Sequence, residues 1–244
     1  MSSKAKSSWF PSGSSLTFGL LEILGRGIVA GDFDEGGFPT EGNLVEVHQV
    51  SRTVVREASK MLSAKGLLES RPRFGSKIRS IADWNIFDVD VLRWLQARPF
   101  SVSLLRGFTE FRLAVEPEAA ALAAIRANDQ DHAIMRSALA RMTAASRELD
   151  DPYIAQLSFH SAILKAANSI LYLKFKDVTS TALSKSAQLI FSLRAHNYDL
   201  DIYENILAAI LSHNRERARS ELRIAIQEDL NLVNKVEKDP SHNG

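Results

Sequence analysis

The sequence has no cysteine, so it can form neither a disulfide framework nor a thiolate metal site. It also has no apolar run approaching the ~20 residues that a membrane-spanning helix needs. Glycine almost vanishes after residue 85, where only Gly107 and Gly244 remain. No glycine-rich phosphate loop, nucleophile elbow or carboxylate–histidine metal array can be found, which disfavours an enzyme. Net charge is only +1, so bulk charge neither assigns nor excludes a nucleic-acid partner. The simplest compartment for such a chain is the cytoplasm, with no membrane partner.

What is present is 244 residues, 45% of them hydrophobic, enough for one or two domains with a substantial core. The start, "MSSKAKSSWFPSGSS", has lysines without an apolar stretch behind them and reads as a disordered arm over 1–13, not a secretory signal. Helical spacing over 16–30 ends at the loop-like "GDFDEGGFPTEGN". Thr40 introduces a second short helix and Ser51 is a good N-cap for a third. The basic stretch 67–79 then reads as a small β-hairpin. Beyond it the spacing predicts helices near 86–97, 101–127, 131–149, 152–167, 169–192, 200–213 and 214–236. Breaks are expected at Pro99, Asn128–Asp131, Asp150–Pro152, Asn168 and His196–Asp199, and a kink or break at Pro117. The expected fold is mainly α: a helix-plus-hairpin domain over 14–79, a linker with its helix over 80–97, and an all-α bundle over 98–238.

Charge is unevenly placed. Between Ser51 and Arg79 stand eight basic residues (Arg52, Arg56, Lys60, Lys65, Arg71, Arg73, Lys77, Arg79) against Glu57 and Glu69, while the rest of the chain is net negative. A basic island in a mildly acidic protein is the footprint of a phosphate-binding surface. At ~100° per residue, "QVSRTVVREASKML" puts Arg52, Thr53, Arg56 and Lys60 on one side, with Val55, Ala58 and Leu62 on the other. Taken alone this is an ordinary solvated helix. With a helix before it and a basic hairpin after it, it becomes the second helix of a winged helix-turn-helix, which enters the DNA major groove. Arginine's fork matches guanine O6 and N7, while lysines and wing arginines suit phosphate.

The stretch "FPTEGNLVEVHQVSRTVVREASKMLSAKGLLESRPRFGS" resembles the winged helix of the GntR family of bacterial transcription regulators. The resemblance implies DNA contacts from Ser51, Arg52, Thr53 and Arg56, with Gly75 in the wing; Lys60, Arg71 and Arg73 join them on charge and position. Two positions depart from the family: Gly42 stands where an arginine often touches DNA, and Arg73 where the wing often has glycine.

Downstream, "DWNIFDVDVLRWL", "FTEFRLAVEPEAAALAA" and "FHSAILKAANSILY" are similar to the FadR-type subgroup, whose FCD domain binds an effector and dimerises. The resemblance, closest to regulators of sugar-acid catabolism, implies a small organic or sugar acid as effector. Many members hold a divalent metal with one Asp and three His. Here those positions read Gln156, His160, Tyr203 and Ala225, so only His160 survives and no metal cofactor is expected there. His132, His196, His213 and His242 fall at predicted helix starts, loops or the tail and do not repair the set. Gln156, His160 and Tyr203 offer hydrogen bonds instead, and Arg112, four residues before Glu116, could clamp a carboxylate. The blander readings stay open: His160 and Tyr203 as satisfied core residues, Arg112–Glu116 as a structural pair, and Asn168 as the N-cap of the next helix.

The expected function is a dimeric, ligand-responsive regulator, with repression the expected sign, on a pseudo-palindromic operator of double-stranded DNA. An architectural DNA binder without effector response, or less favourably an enzyme, are the alternatives.

Overall fold

The computed structural model describes residues 15–34, 36–71, 75–97, 101–194 and 199–238; for 71 and 188–194 only the backbone is described. The expected arm, Arg73, the break at Pro99, His196 and His242 lie outside the described residues. The chain divides into two compact units, Met1–Pro99 and Phe100–Gly244.

In the first unit, helix α1 (Leu16–Ala30) starts at Ser15, whose hydroxyl accepts from Phe18 N at 3.4 Å, and ends at Gly31 in the left-handed region. Helix α2 (Glu41–His48) is capped by Thr40, and α3 (Arg52–Ala64) by Ser51, whose Oγ accepts from Val54 N at 3.3 Å. The two are joined through Gln49, held at φ +54. This left-handed corner is unusual for a residue with a Cβ. The hairpin pairs β1 (Leu68–Arg71) with β2 (Gly75–Ile78) antiparallel, with Leu68 opposite Ile78 and Arg71 opposite Gly75. Leu20, Leu24 and Ile28 of α1 are buried, as are Val55, Ala58 and Leu62 of α3, and these two helices pack together. Burying each of the larger of these side chains contributes about 1.5–3 kcal/mol.

Helix α4 (Val89–Ala97) packs on α1 within the same unit. Trp94 fills the space left by a missing side chain: a Cβ on Gly25 would stand 2.4 Å from the indole. The indole Nε1 donates to Glu22 Oε2 at 2.9 Å. Lys65, at the end of α3, reaches Asp88 at 2.9 Å and Asp90 at 2.7 Å, tying α3 to the entry of α4.

In the second unit, α5 (Val102–Arg126) packs most extensively against α11 (Arg215–Lys238) and also touches α7 (Pro152–Ala166), α9 (Lys176–Arg194) and α10 (Leu200–Leu211). The run Ala119, Ala120, Ala121, Ala123 and Ala124 is buried, small side chains that let neighbouring helices approach closely. α6 (Asp129–Ala145) packs on α7 and opens with a capping box between Asn128 and Asp131. The all-helical expectation therefore holds, with three local corrections. Of the kink or break expected at Pro117, the break does not occur: α5 continues through the proline, which removes one donor to Leu113 while the helix packs on four others. The helix expected over 169–192 is interrupted at Phe175, between α8 (Ile170–Lys174) and α9, where the buried ring packs edge-on against Phe111. Asn168 does not start α8; it follows α7 at φ +48, a conformation Asn tolerates, and the N-cap is Ser169.

Gly66 gives the sharpest test of the first unit. Its φ is +79, and an added Cβ would lie 2.5 Å from the Asp83 carbonyl oxygen. Gly66→Ala should lower unfolding stability by about 2 kcal/mol or more, read as a shifted urea midpoint in tryptophan fluorescence.

Candidate functional site

The basic face of α3 is built by the same periodicity that builds the core. Val55, Ala58 and Leu62 have no exposed surface, so the residues on the opposite side of the helix must face outward. Arg52, Thr53, Arg56 and Lys60 are all exposed, as is the N-cap Ser51. Arg56 lies 3.6 Å from Glu41 and Lys60 lies 2.8 Å from Glu57. Exposed pairs of this kind are worth roughly 0–1 kcal/mol, so both cations stay available to another anion. Gly75 takes φ +81 at the start of β2, with no atom of the other described residues, its chain neighbours aside, within 4 Å of where its Cβ would be. Arg71 pairs through its backbone with Gly75, while its side chain, like all of Arg73, lies outside the described residues. Gly42 faces open space, where an added Cβ would meet only Thr40 Oγ1, at 3.9 Å.

The second constellation is a charge network inside the helical unit. Arg112 and Glu116, one turn apart on α5, are 0% and 1% exposed. Arg112 Nε donates to Glu116 Oε1 at 2.8 Å, and its Nη1 lies 3.6 Å from Asp229 Oδ2 on α11. Arg112 Nη2 lies 3.5 Å from both ring nitrogens of His160. His160 Nδ1 meets Glu116 Oε2 at 2.6 Å, and Thr179 of α9 donates to Glu116 Oε1 at 2.7 Å. Gln156, one turn before His160 on α7, donates its Nε2 to Tyr203 Oη at 2.7 Å. The four effector residues read from sequence therefore do gather, in two linked pairs of contacts. The carboxylate that Arg112 holds is the chain's own Glu116. Sequence reasoning missed Thr179 and Asp229. Asp229 had a readable signal, since it falls on the buried stripe Leu222, Ile226, Val233 of α11.

Electrostatics follow from burial and pairing. Burial alone would raise the Glu116 carboxyl; Arg112 and His160 outweigh it and hold it well below the usual carboxylate range. Burial would likewise lower Arg112, but Glu116 and Asp229 raise it. Burial, reinforced by the Asp229 charge, pushes the Tyr203 hydroxyl above its ordinary range, so it stays protonated. Of the four positions that the resemblance assigns to a metal, Gln156 and Tyr203 bond each other, Ala225 has no donor atom, and only His160 offers an imidazole, with the Arg112 guanidinium 3.5 Å from its ring nitrogens.

Two family descriptions match this chain: "Bacterial regulatory proteins, gntR family" over residues 20–78, and "FCD domain" over residues 108–228. The chain belongs to the GntR family. Its FCD domain coincides with the helical unit and its GntR winged helix with α1 to β2. Among relatives, it is 33% identical to the galactonate operon transcriptional repressor of Escherichia coli K12 over 147 residues, 60% of this chain and 64% of that protein. That match spans just under two thirds of the repressor's length. It is 28% identical to the E. coli regulator YieP over 219 residues, 84% of this chain and 89% of YieP. The Listeria monocytogenes regulator Lar shares the fold, with TM-score 0.57 at 16% identity over 92% of this chain and 99% of Lar. No described helix is long and apolar enough to cross a membrane.

Glu116→Gln should destabilise the protein by about 3–5 kcal/mol at neutral pH, because it leaves Arg112 short of charge in the interior. The parent's Glu116 is depressed in the folded state, so its contribution is present above the unfolded value and lost as pH falls below it. The gap in urea midpoint between parent and variant should narrow below about pH 4.

Proposed function

We propose that this GntR-family chain is a transcription regulator that binds a pseudo-palindromic operator as a homodimer, with repression as its basal action. The observation that carries the reading is the exposed face of α3, where Ser51, Arg52, Thr53, Arg56 and Lys60 stand together over a fully buried opposite face. In the proposed complex Arg52 and Arg56 read base edges from the N-terminal half of α3, Ser51 and Thr53 contact the strand beside them, and Lys60 with the wing residues Arg71, Arg73 and Gly75 holds the phosphates. A homodimer presents two such helices to two half-sites.

The helical domain is proposed as the effector site, for a small organic or sugar acid. The likeness to a galactonate operon repressor supports the sugar-acid class. Gln156, His160 and Tyr203 supply the polar groups, with Arg112 behind them as the buried cation that organises the core. The network's cation is a guanidinium, which supports a core that works without a metal. Differential affinity of the effector for two dimer arrangements would couple the domain to the operator.

Two measurements test this. On an operator fragment selected from random DNA, Arg56→Ala should bind about 5–150-fold more weakly, the loss of ~1–3 kcal/mol of base readout. Lys60→Ala should weaken all sequences alike and flatten the salt dependence. If Arg56→Ala shifts the fragment as well as the parent does, α3 is not the reading helix. In a thermal-shift screen, a sugar acid should stabilise the parent and release the operator, and Gln156→Ala should blunt both. Zn²⁺ or Ni²⁺ stabilisation that His160→Ala abolishes would overturn the metal-free core.

A further inference from the structure

Two histidines that belong to different helix ends meet in the helical unit, apart from the Arg112 network. His132 stands in the first turn of α6, and His213 follows α10 before α11 begins. Their ring centroids are 6.2 Å apart at 59°. His213 Nδ1 lies 2.9 Å from the Ala124 carbonyl oxygen at the end of α5. A carbonyl only accepts, so Nδ1 carries the hydrogen and Nε2 presents a lone pair. This is the arrangement by which an outer carbonyl orients a metal-binding imidazole. His132 Nε2, for its part, is shut off from solvent and has no hydrogen-bond partner among the described residues. A buried nitrogen left so is costly unless something fills its valence. The backbone adds a second sign of constraint: His213 sits at φ +55, a helix-ending conformation that glycine or asparagine takes with less strain.

The spacing suits one ion between the rings. With metal–nitrogen bonds of ~2.0–2.1 Å, two imidazoles sharing a cation have centroids about 5 Å apart at a tetrahedral angle and about 6.4 Å apart when opposite each other. The 6.2 Å seen here suits nearly opposite rings, and a tetrahedral ion would draw them together by about 1 Å. Among the described residues no third His, Cys, Asp or Glu completes a cluster. Water must complete the coordination, which the exposure of His213 permits. Imidazole donors suit Ni²⁺, Zn²⁺ and Cu²⁺ rather than Mg²⁺ or Ca²⁺. Ala124 lies eight residues beyond Glu116, ~12 Å along α5 at 1.5 Å per residue, so this place is distinct from the buried charge network.

We propose that His132 and His213 form a two-imidazole site for a borderline divalent cation such as Ni²⁺ or Zn²⁺, which staples the start of α6 to the corner between α10 and α11. The site requires neither DNA binding nor an organic effector for its test. The test uses untagged full-length protein, stripped with EDTA and titrated with Ni²⁺, Zn²⁺ or Mg²⁺ by calorimetry, with melting temperature followed in parallel. Ni²⁺ and Zn²⁺ should bind saturably at one ion per chain and raise the melting temperature, and Mg²⁺ should do neither. His132→Ala, and separately His213→Asn, which keeps a residue suited to the left-handed corner, should each weaken binding by about tenfold or more. His48→Ala, in the other unit, should bind as the parent does. Absence of saturable binding by the parent overturns the proposal. So does parent-like binding in both the His132→Ala and the His213→Asn proteins. Metal binding that disappears in His160→Ala but persists in those two variants would place the ion in the bundle core and equally overturn it.

Discussion

A guanidinium without exposed surface cannot be left to water, so Arg112 dictates much of what surrounds it. Removing a cation from water costs several kcal/mol even after relaxation, and only close negative charge with good hydrogen bonds offsets this. Glu116 supplies the nearer charge from the same helix and Asp229 supplies a second from α11. Glu116 in turn is held by His160 of α7 and Thr179 of α9. Four helices are therefore registered against one buried cation, and the apolar packing of α5 fills in around that register. Apolar replacements of the same volume often leave such cores as stable or more so. What the network adds is a set of partners that admits few alternative alignments, the use of buried charge argued for registry in helical assemblies.

The winged-helix unit relies on close approach. Trp94 can lie on α1 because Gly25 has no side chain, and Gly66 can turn beneath Asp83 because it has none either. The Lys65 contacts to Asp88 and Asp90 then hold the end of the α3 helix to the beginning of α4. The basic face of α3 is thus carried by a helix fixed at both ends, by Ser51 at the start and Lys65 at the finish. A reading helix needs that rigidity, since base contacts tolerate little displacement.

Much of this is legible in the residues. The helical spacing over 16–30, the Thr40 and Ser51 caps, and the partition of α3 into Val55, Ala58, Leu62 against Arg52, Arg56, Lys60 all follow from local rules, and the structure agrees on each. The misses share one cause, tertiary context. Local rules count the hydrogen bond that Pro117 loses, while four packed neighbours decide the outcome. Arg112 and Glu116 are visible as a one-turn pair and the α11 stripe places Asp229 inside, but that Asp229 and Thr179 meet this pair across more than sixty residues of chain is beyond any local pattern. In sequence His132 and His213 are only helix-end residues, and being at helix ends is what lets them meet.

The loose pair between Arg56 and Glu41 bears on how binding would respond to salt. Glu41, at the start of α2, occupies the guanidinium that the proposed complex needs for a base. Binding would exchange an internal partner for an external one rather than capture a bare cation. Counterion release counts only the charges that phosphate newly neutralises. Arg56, and Lys60 with its Glu57 partner, would therefore enter the complex already partly discharged. The salt slope of the proposed complex would then report fewer ions than the eight basic residues between Ser51 and Arg79 suggest, and its hold on random DNA would be correspondingly weaker. In the proposed complex Glu41 would act as a selectivity element, a weak internal partner that a well-placed guanine would have to displace.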